Sequence, residues 1–223
     1  SGGSLTGNTI SGNTSQSAYW SYGGGVYAIM STISGNIIEN NTVNGNAVGS
    51  GGGVYGSAST ISLNTINGNS ATASQTGNGG GVYASGGSVT ENSISGNSTS
   101  GGTNHFGGGI YGSSSTIAYN TLTENNSNNG GAIYANEGAV TNNVVQNNMT
   151  TTNGTVYVSQ GSALGNTIQG NSATNGGGMY GDGATLTGNT LENNTAVLGA
   201  GIYALNSTVR GNTLTGNDAI SDG

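Results

Sequence analysis

The chain has 223 residues, of which 46 are glycine and only 4% are charged, and it contains no cysteine and no proline. Arg210 is its single Lys/Arg residue against eight acidic residues, so the formal net charge is -7. A chain this poor in cations cannot neutralise a phosphate backbone, which argues strongly against nucleic acid as a partner. The lack of cysteine excludes disulfides and thiolate metal sites, and no apolar run approaches the about 20 residues of a membrane-spanning segment.

Read in chain order, the sequence repeats itself. The segment GGGVYAIMSTISGNIIENNT at 23–42 returns as GGGVYGSASTISLNTINGNS at 51–70 and as GGGVYASGGSVTENSISGNS at 79–98. The tyrosine that ends each glycine-rich motif recurs at intervals of 28 residues in the first part of the chain and of 23 residues afterwards. The same two intervals separate the asparagines that follow, which come in pairs five residues apart. The recurring asparagines include Asn36, Asn64, Asn92, Asn120 and Asn143 in one series and Asn41, Asn69 and Asn97 in the other.

The change of period falls in a single connection. The distance from the tyrosine to the first asparagine is always nine residues, whereas the distance from the second asparagine to the next tyrosine shortens from 14 to nine. Disordered sequence has no reason to keep such a register, whereas a stacked coil tolerates extra residues in one loop. The pattern predicts one parallel β-helix domain over residues 1–223, with 28-residue coils over 1–120 and 23-residue coils over 121–223.

Short apolar segments that are bounded by glycine and asparagine predict strands rather than helices. Their aliphatic residues form three columns with about one member in each coil, running from Val26 to Ile202, from Leu5 to Val209 and from Ile10 to Leu214. Three columns predict three strands per coil around one narrow core. The pair Ala163 and Leu164 interrupts the second column and predicts a local change of packing.

The asparagine series predict ladders at the corners of the coils. Asparagine tolerates a left-handed backbone, and identical amides can hydrogen-bond to one another when coils stack about 4.8 Å apart. A residue before the asparagine is often glycine for the same conformational reason.

The motif GGAIYA at 130–135, alternating with TLTGN at 185–189 and 213–217, resembles the repeats of secreted bacterial and archaeal right-handed parallel β-helix proteins. It is similar to the repeats of polymorphic outer-membrane proteins and of adhesin passengers. The resemblance implies a right-handed coil, which the usual crossover rule also favours. It further implies a surface-exposed, noncatalytic adhesin or structural stalk.

The sequence does not favour catalysis. β-Helix lyases and hydrolases need clustered acidic or basic groups, whereas the carboxylates here are scattered over different coils. They are Glu39, Glu91, Glu124, Glu137, Asp182, Glu192, Asp218 and Asp222. The lone His105 lies in a long loop and is interpreted as a solvated residue. Neither the calcium-binding aspartate repeat nor a phosphate-loop lysine is present, so we expect no enzyme activity, metal or cofactor.

Aromatic residues are the candidate surface and interface positions. Alternation along the strand sends the motif tyrosines outward, where they would form a column. We favour cross-strand stabilisation over sugar binding for this column. The aromatics of the longer loops either form an interface or fold down onto the coil. The candidates are Tyr19, Trp20, Tyr22 and Phe106 in the loops and Tyr55, Tyr83 and Tyr111 in the column.

The ends of the repeat suggest self-assembly. Leu5 and Asn8 are already in phase, and the chain continues only six residues beyond Asn217. Uncapped and nearly in-phase ends predict head-to-tail addition, a contact that propagates into a fibre. We therefore expect an extracellular or cell-surface structural protein whose main partner is itself, with no nucleic acid and no membrane insertion. The alternatives are a module of a longer adhesin stalk, a glycan-binding surface protein and, less favoured, an ice-binding protein.

Overall fold

The computed structural model describes residues 2–220 as an all-β, right-handed parallel β-helix. Thirty-eight short strands, β1 to β38 in chain order, stack into sheets, and the part of the chain described contains no helix. Every strand pairing is parallel and joins a residue to its counterpart one coil away. Val54 lies against Val82 and Tyr55 against Tyr83, so repeated sequence becomes repeated position.

The strands fall into four sheets, named here in the order in which the chain visits them. Sheet I contains β1 (Ser4–Thr6), β6 (Thr32–Ser34), β11 (Thr60–Ser62), β16 (Ser88–Thr90), β21 (Thr116–Ala118), β25 (Ala139–Thr141), β29 (Ser162–Leu164), β32 (Thr185–Thr187) and β36 (Thr208–Arg210). Sheet II contains β2 (Thr9–Ser11), β7 (Ile37–Glu39), β12 (Thr65–Asn67), β17 (Ser93–Ser95), β22 (Thr121–Thr123), β26 (Val144–Gln146), β30 (Thr167–Gln169), β33 (Thr190–Glu192) and β37 (Thr213–Thr215).

The other two sheets close the coil. Sheet III contains β3 (Thr14–Ser17), β4 (Trp20–Tyr22), β8 (Thr42–Gly45), β9 (Val48–Ser50), β13 (Ser70–Ala73), β14 (Thr76–Asn78), β18 (Ser98–Gly101), β19 (Asn104–Phe106), β23 (Asn126–Asn129) and β27 (Met149–Asn153), continued by the pair β34 (Thr195–Ala196) and β38 (Asp218–Ala219). Sheet IV contains β5 (Val26–Ile29), β10 (Val54–Ser57), β15 (Val82–Ser85), β20 (Ile110–Ser113), β24 (Ile133–Asn136), β28 (Val156–Ser159), β31 (Met179–Asp182) and β35 (Ile202–Leu205).

The three predicted aliphatic columns line sheets I, II and IV and form the core. Ile61, Ile66 and Val54 are fully buried, one from each of these sheets. The expected change of packing at Ala163 does not involve a shift of register. Ala163 pairs with its counterparts in the neighbouring coils and is buried, while Leu164 points outward and is half exposed.

The prediction of three strands per coil was too low, because sheet III forms a fourth side. Apart from Val43, its inward residues are mostly small or polar, as Ala71, Thr99 and Ser127 show, so no aliphatic column marks it in the sequence. In the 28-residue coils this side has two strands, such as β8 and β9. The two columns of strands in sheet III join at β23, which pairs with both β18 and β19. The 23-residue coils begin at this point.

The corners need a left-handed backbone, but not at the ladder asparagines. The residue before the asparagine adopts the positive φ, as at Leu63 (58°) before Asn64 and Glu91 (57°) before Asn92. Glycine most often takes this place because it has no Cβ to clash. The asparagine itself keeps ordinary backbone geometry and is left free to point its amide inward.

Glycine serves a second purpose in the GGG motif. A Cβ atom added at Gly52 would overlap the carbonyl oxygen of Gly80 in the next coil and the backbone of Ser70 in its own. The backbone therefore passes through a space too narrow for any side chain, between sheets III and IV.

Candidate assembly and binding surfaces

Two asparagine ladders run through the molecule, and Asn92 shows their geometry. Its Oδ1 accepts from the backbone N and from Nδ2 of Asn64, at 2.9 and 3.0 Å. Its Nδ2 donates to the carbonyl oxygens of Ile61 and Thr90 and to Oδ1 of Asn120, at 2.9 to 3.0 Å. The amide is buried with its donors and acceptor used, which removes the desolvation penalty that an unpaired buried amide carries. All eight ladder asparagines singled out from the sequence are buried and bonded in this way.

The ladders have a direction. Each asparagine donates from its backbone N and Nδ2 to Oδ1 of the asparagine in the following coil, from Asn8 and Asn13 at the first coil to Asn212 and Asn217 at the last. Within residues 2–220, the first coil therefore offers Oδ1 acceptors that receive no bond from a preceding coil. The last coil offers backbone and Nδ2 donors with no following Oδ1. The two ends are complementary in hydrogen-bond polarity.

The end coils also expose the core columns. Leu214 is 50% exposed and Val209 is 45% exposed, whereas Leu191 and Leu186 one coil earlier are fully buried. At the other end, Leu5 and Ile10 are only partly buried. Among the described residues, the strands that carry these side chains pair with a neighbour on one side only.

The tyrosines of sheet IV form one continuous ladder on the outer face. Neighbouring ring centroids lie 4.7 to 5.3 Å apart, and the rings are tilted by only 3° to 15° from parallel. Burial, followed by the neighbouring phenols, raises the pKa of Tyr55 and of Tyr83. The eight members are Tyr27, Tyr55, Tyr83, Tyr111, Tyr134, Tyr157, Tyr180 and Tyr203.

The ladder leaves little room for sugar stacking. Tyr55, Tyr83 and Tyr111 each have a stacked ring on both sides, so they present ring edges to solvent rather than faces. Within the ladder, the terminal Tyr27 and Tyr203 are stacked on one side only. This arrangement agrees with the expectation that the column stabilises the sheet.

The loop aromatics divide between the two expected behaviours. Tyr22 and Phe106 fold onto the ladder, with Tyr22 5.0 Å from Tyr55 and Phe106 4.8 Å from Tyr134 between ring centroids. Tyr19 and Trp20 remain 73% and 64% exposed. The residues just before them line an open groove of about 670 Å³ that crosses the 28-residue coils and has amide side chains at Gln16, Asn44 and Asn46.

The interpretation of His105 as a solvated residue was wrong. In β19, Asn104 points outward and His105 inward, and the ring is 2% exposed. It occupies space left by Gly77, its counterpart in the preceding coil, where an added Cβ would come 2.6 Å from Nδ1. Neither ring nitrogen has a hydrogen-bond partner of good geometry. Burial lowers the pKa of His105, and the nearby Gly102 backbone offsets part of this shift. The small residues at its column positions in earlier coils, Ser21, Gly49 and Gly77, are the signal that could have predicted this burial.

The carboxylates are dispersed over the surface. Glu91, Glu124 and Glu137 occupy positive-φ corner positions and are exposed. Asp222 lies outside the described residues. Within residues 2–220, no three His, Cys, Asp or Glu side chains come close enough together to hold a metal ion, and no helix is long and apolar enough to cross a membrane.

Comparison of the chain with protein-family models, with curated proteins and with solved structures finds no match.

Proposed function

We propose that the protein is a structural, extracellular subunit that assembles into filaments by head-to-tail stacking of its β-helix. The complementary hydrogen-bond polarity of the first and last described coils supports the proposal. With Asn8 of one copy placed over Asn212 of another, and Asn13 over Asn217, both asparagine ladders continue across the junction. Each ladder then gains the same two donor contacts to Oδ1 that join every pair of coils inside the molecule.

Stacking also covers the surface that the end coils leave open. β1 of one copy meets β36 of the other, and β2 meets β37, so strand edges pair and the exposed Leu214 and Val209 become buried. This contact is heterologous and does not close on itself, so it propagates along one axis. The extracellular location rests on the resemblance to secreted repeat proteins. If the chain is instead a module of a longer stalk, neighbouring coils of the same polypeptide supply the same stacking.

Charge placed at the junction tests the proposal. Wild-type protein should form unbranched filaments at high concentration, visible in negative-stain micrographs and as a rise in light scattering. Leu214→Glu should remain monomeric, because stacking would bury its carboxylate against Ile10 without a partner. Leu63→Glu is the matched control, since Leu63 is 59% exposed at a mid-molecule corner whose counterpart one coil later is Glu91. Wild-type protein that stays monomeric, or equal assembly of Leu214→Glu and wild type, contradicts the proposal.

A second candidate function is binding of a neutral glycan at the 28-residue coils. It is favoured by the exposed faces of Tyr19 and Trp20 beside an uncharged, amide-lined groove. Stacking of sugar rings on aromatic faces with amides at their hydroxyls is the expected mode. A glycan array probed with wild type and with Trp20→Ala tests it, and binding that survives the substitution contradicts it.

A further inference from the structure

The tyrosine ladder on sheet IV is an unbroken stack of phenol rings. Tyr55 lies 4.8 Å from Tyr83 between ring centroids, with the ring planes 5° apart. Tyr83 lies 5.1 Å from Tyr111, with the planes 3° apart. The other five steps of the ladder are 4.7 to 5.3 Å long. Its rings therefore extend over seven coil spacings, about 34 Å, and each ring stacks on the next.

A stack of phenols at this separation can pass an oxidising equivalent from ring to ring. Tyrosine and tryptophan are the side chains of this chain that lose a single electron most readily, and stacking brings their π-systems together. Burial raises the pKa of Tyr111 and of Tyr134, which keeps these phenols protonated at neutral pH. Each hop therefore moves a proton as well as an electron. The oxidised ring takes an electron from its neighbour and a proton from water, and the neighbour releases its phenolic proton to water.

We propose that the tyrosine ladder is a relay that moves oxidising equivalents along the outer face of sheet IV. Its reaction partner is a one-electron oxidant, such as an organic radical or an oxidised metal complex. The oxidant gains one electron, one phenol loses that electron and its proton, and the resulting tyrosyl radical moves along the ladder. The relay operates within one chain and does not depend on assembly into filaments.

An exposed aromatic branch leads from solvent to the ladder. Trp20 and Tyr22 both point outward from β4, and Trp20 is 64% exposed. The Tyr22 ring lies 5.0 Å from Tyr55 and 6.4 Å from Tyr27 between centroids. Trp20 therefore offers an oxidant in solution an exposed indole, two residues away from a ring that contacts the ladder.

The composition of the chain removes one common competitor for the oxidising equivalent. Cysteine thiols are oxidised readily and would trap the equivalent away from the ladder. The chain contains no cysteine. A single cysteine introduced for labelling is therefore unique.

A tethered photo-oxidant and a trap at opposite ends of a defined path test the relay. Ser159→Cys places a thiol on the face of β28 that also presents Tyr157, and a ruthenium polypyridyl complex is attached to it. The analogue 3-aminotyrosine, which is easier to oxidise than tyrosine, replaces Tyr27 as the trap. Tyr157 and Tyr27 are five coil spacings apart, about 24 Å.

The readout is the radical formed at position 27. A light flash in the presence of a soluble electron acceptor oxidises the complex to ruthenium(III), which then takes an electron from the ladder. We expect the aminotyrosyl radical at position 27 in the electron paramagnetic resonance spectrum. Its yield per molecule should not change when the protein is diluted, because the transfer takes place within one chain.

A pair of conservative variants separates the relay from the structural role of the ladder. Tyr83→Phe keeps a stacked ring in the middle of the path but removes its phenol, and phenylalanine is much harder to oxidise. We expect loss of most of the radical signal at position 27, with a melting temperature close to that of the parent protein. Tyr119→Phe is the matched control, because Tyr119 is exposed at a corner outside the ladder. It should leave the signal unchanged.

Three results overturn the relay. They are the absence of the radical at position 27 in the parent protein, equal signals from Tyr83→Phe and Tyr119→Phe, and a yield that rises with protein concentration. None of these measurements requires filaments, so failure of the relay leaves the proposed function standing. Filament assays on the unlabelled protein likewise leave the relay untouched.

Discussion

At the scale of single residues, this protein shows how a chain with few large apolar side chains builds a stable interior. Buried asparagines such as Asn64 and Asn92 share the interior with the aliphatic columns. Each uses its amide to bond backbone groups of its own coil and of the preceding coil, and to donate to the asparagine Oδ1 of the following coil. Because its polar atoms are satisfied, the amide adds specificity of register without an unpaired buried group.

Removal of one ladder amide should therefore lower the free energy of unfolding. Asn92→Ala leaves the backbone N of Asn64 and the carbonyl oxygen of Ile61 without these partners inside the coil. We expect the free energy of unfolding to fall by about 3 kcal/mol or more, from the unsatisfied buried groups. Asn44→Ala, at an exposed asparagine, should change it by less than about 0.5 kcal/mol. Denaturant unfolding of the two variants measures the difference, and similar losses would contradict the role of the ladder.

His105 should make stability depend on pH. Its pKa in the folded protein is lowered by burial, so as pH falls the unfolded chain takes up the proton first. Stability is then fully present above the ordinary histidine pKa of about 6.5 and declines as pH falls through it. The melting temperature of wild type should fall between pH 7.5 and 5.5. His105→Leu, which cannot take up a proton, should show a smaller decline, and an unchanged pH dependence would refute the assignment.

At the scale of the element, each strand is too short to be stable alone. The three- and four-residue strands gain their stability from identical neighbours above and below. Sheet IV adds an aromatic ladder to the backbone ladder, so its outer face contributes to cohesion as well as its inner face. The tyrosine column therefore belongs to the structural framework more than to a binding surface.

A tyrosine ring in the middle of the ladder should contribute more to the free energy of unfolding than an isolated surface ring. Tyr134 stacks on Tyr111 and Tyr157 with centroids 5.3 and 4.7 Å away. Tyr134→Ser breaks both stacks, and we expect it to lower the free energy of unfolding by about 1 to 3 kcal/mol. Tyr119→Ser, at an exposed corner, removes a ring outside the ladder and should cost much less. Thermal unfolding of the pair tests this, and equal losses would show that stacking contributes nothing.

At the scale of the whole molecule, stability is approximately a sum over coils and their contacts. In sheets I, II and IV every coil touches its neighbours through the same registers, whereas the pairing in sheet III changes at β23, where the 28-residue coils give way to 23-residue coils. The ends differ because their apolar columns and ladder atoms lack a second neighbour among the described residues. This is the physical basis for placing the proposed assembly contacts there.

Removal of one whole coil should be tolerated. Deleting residues 133–155 joins Ala132 to Val156 and places Val156 against Ile110, the position that Ile133 now occupies. We expect a folded β-helix whose free energy of unfolding is lower by roughly the contribution of one coil and its contact with a neighbour. Deleting residues 133–154 instead shifts the following strand by one position and sends its aliphatic side chains outward. Circular dichroism and melting should show the first variant folded and the second disrupted, and equal behaviour would contradict the stacked-coil register.

The sequence by itself determined the coil. Its invariant spacings of 23 and 28 residues specify which residues stack, and the columns through Val54, Ile61 and Ile66 specify the three aliphatic sides. This information is local and repeated, so each coil restates it. The positions of the ladder asparagines could also be predicted from the sequence, because a buried amide ladder requires the same residue at the same place in every coil.

The fourth side of the coil and the burial of His105 were decided only by the tertiary structure. The fourth side has no aliphatic column, since backbone packing and small residues such as Ala71 close it. His105 is buried because a neighbouring coil offers Gly77 beneath it, a relation between residues 28 positions apart that composition does not reveal. The hydrogen-bond direction of the asparagine ladders likewise follows from how the coils are stacked. A periodic sequence specifies which residues stack above and below one another, whereas the packing around a residue depends on which side chains the neighbouring coils place there.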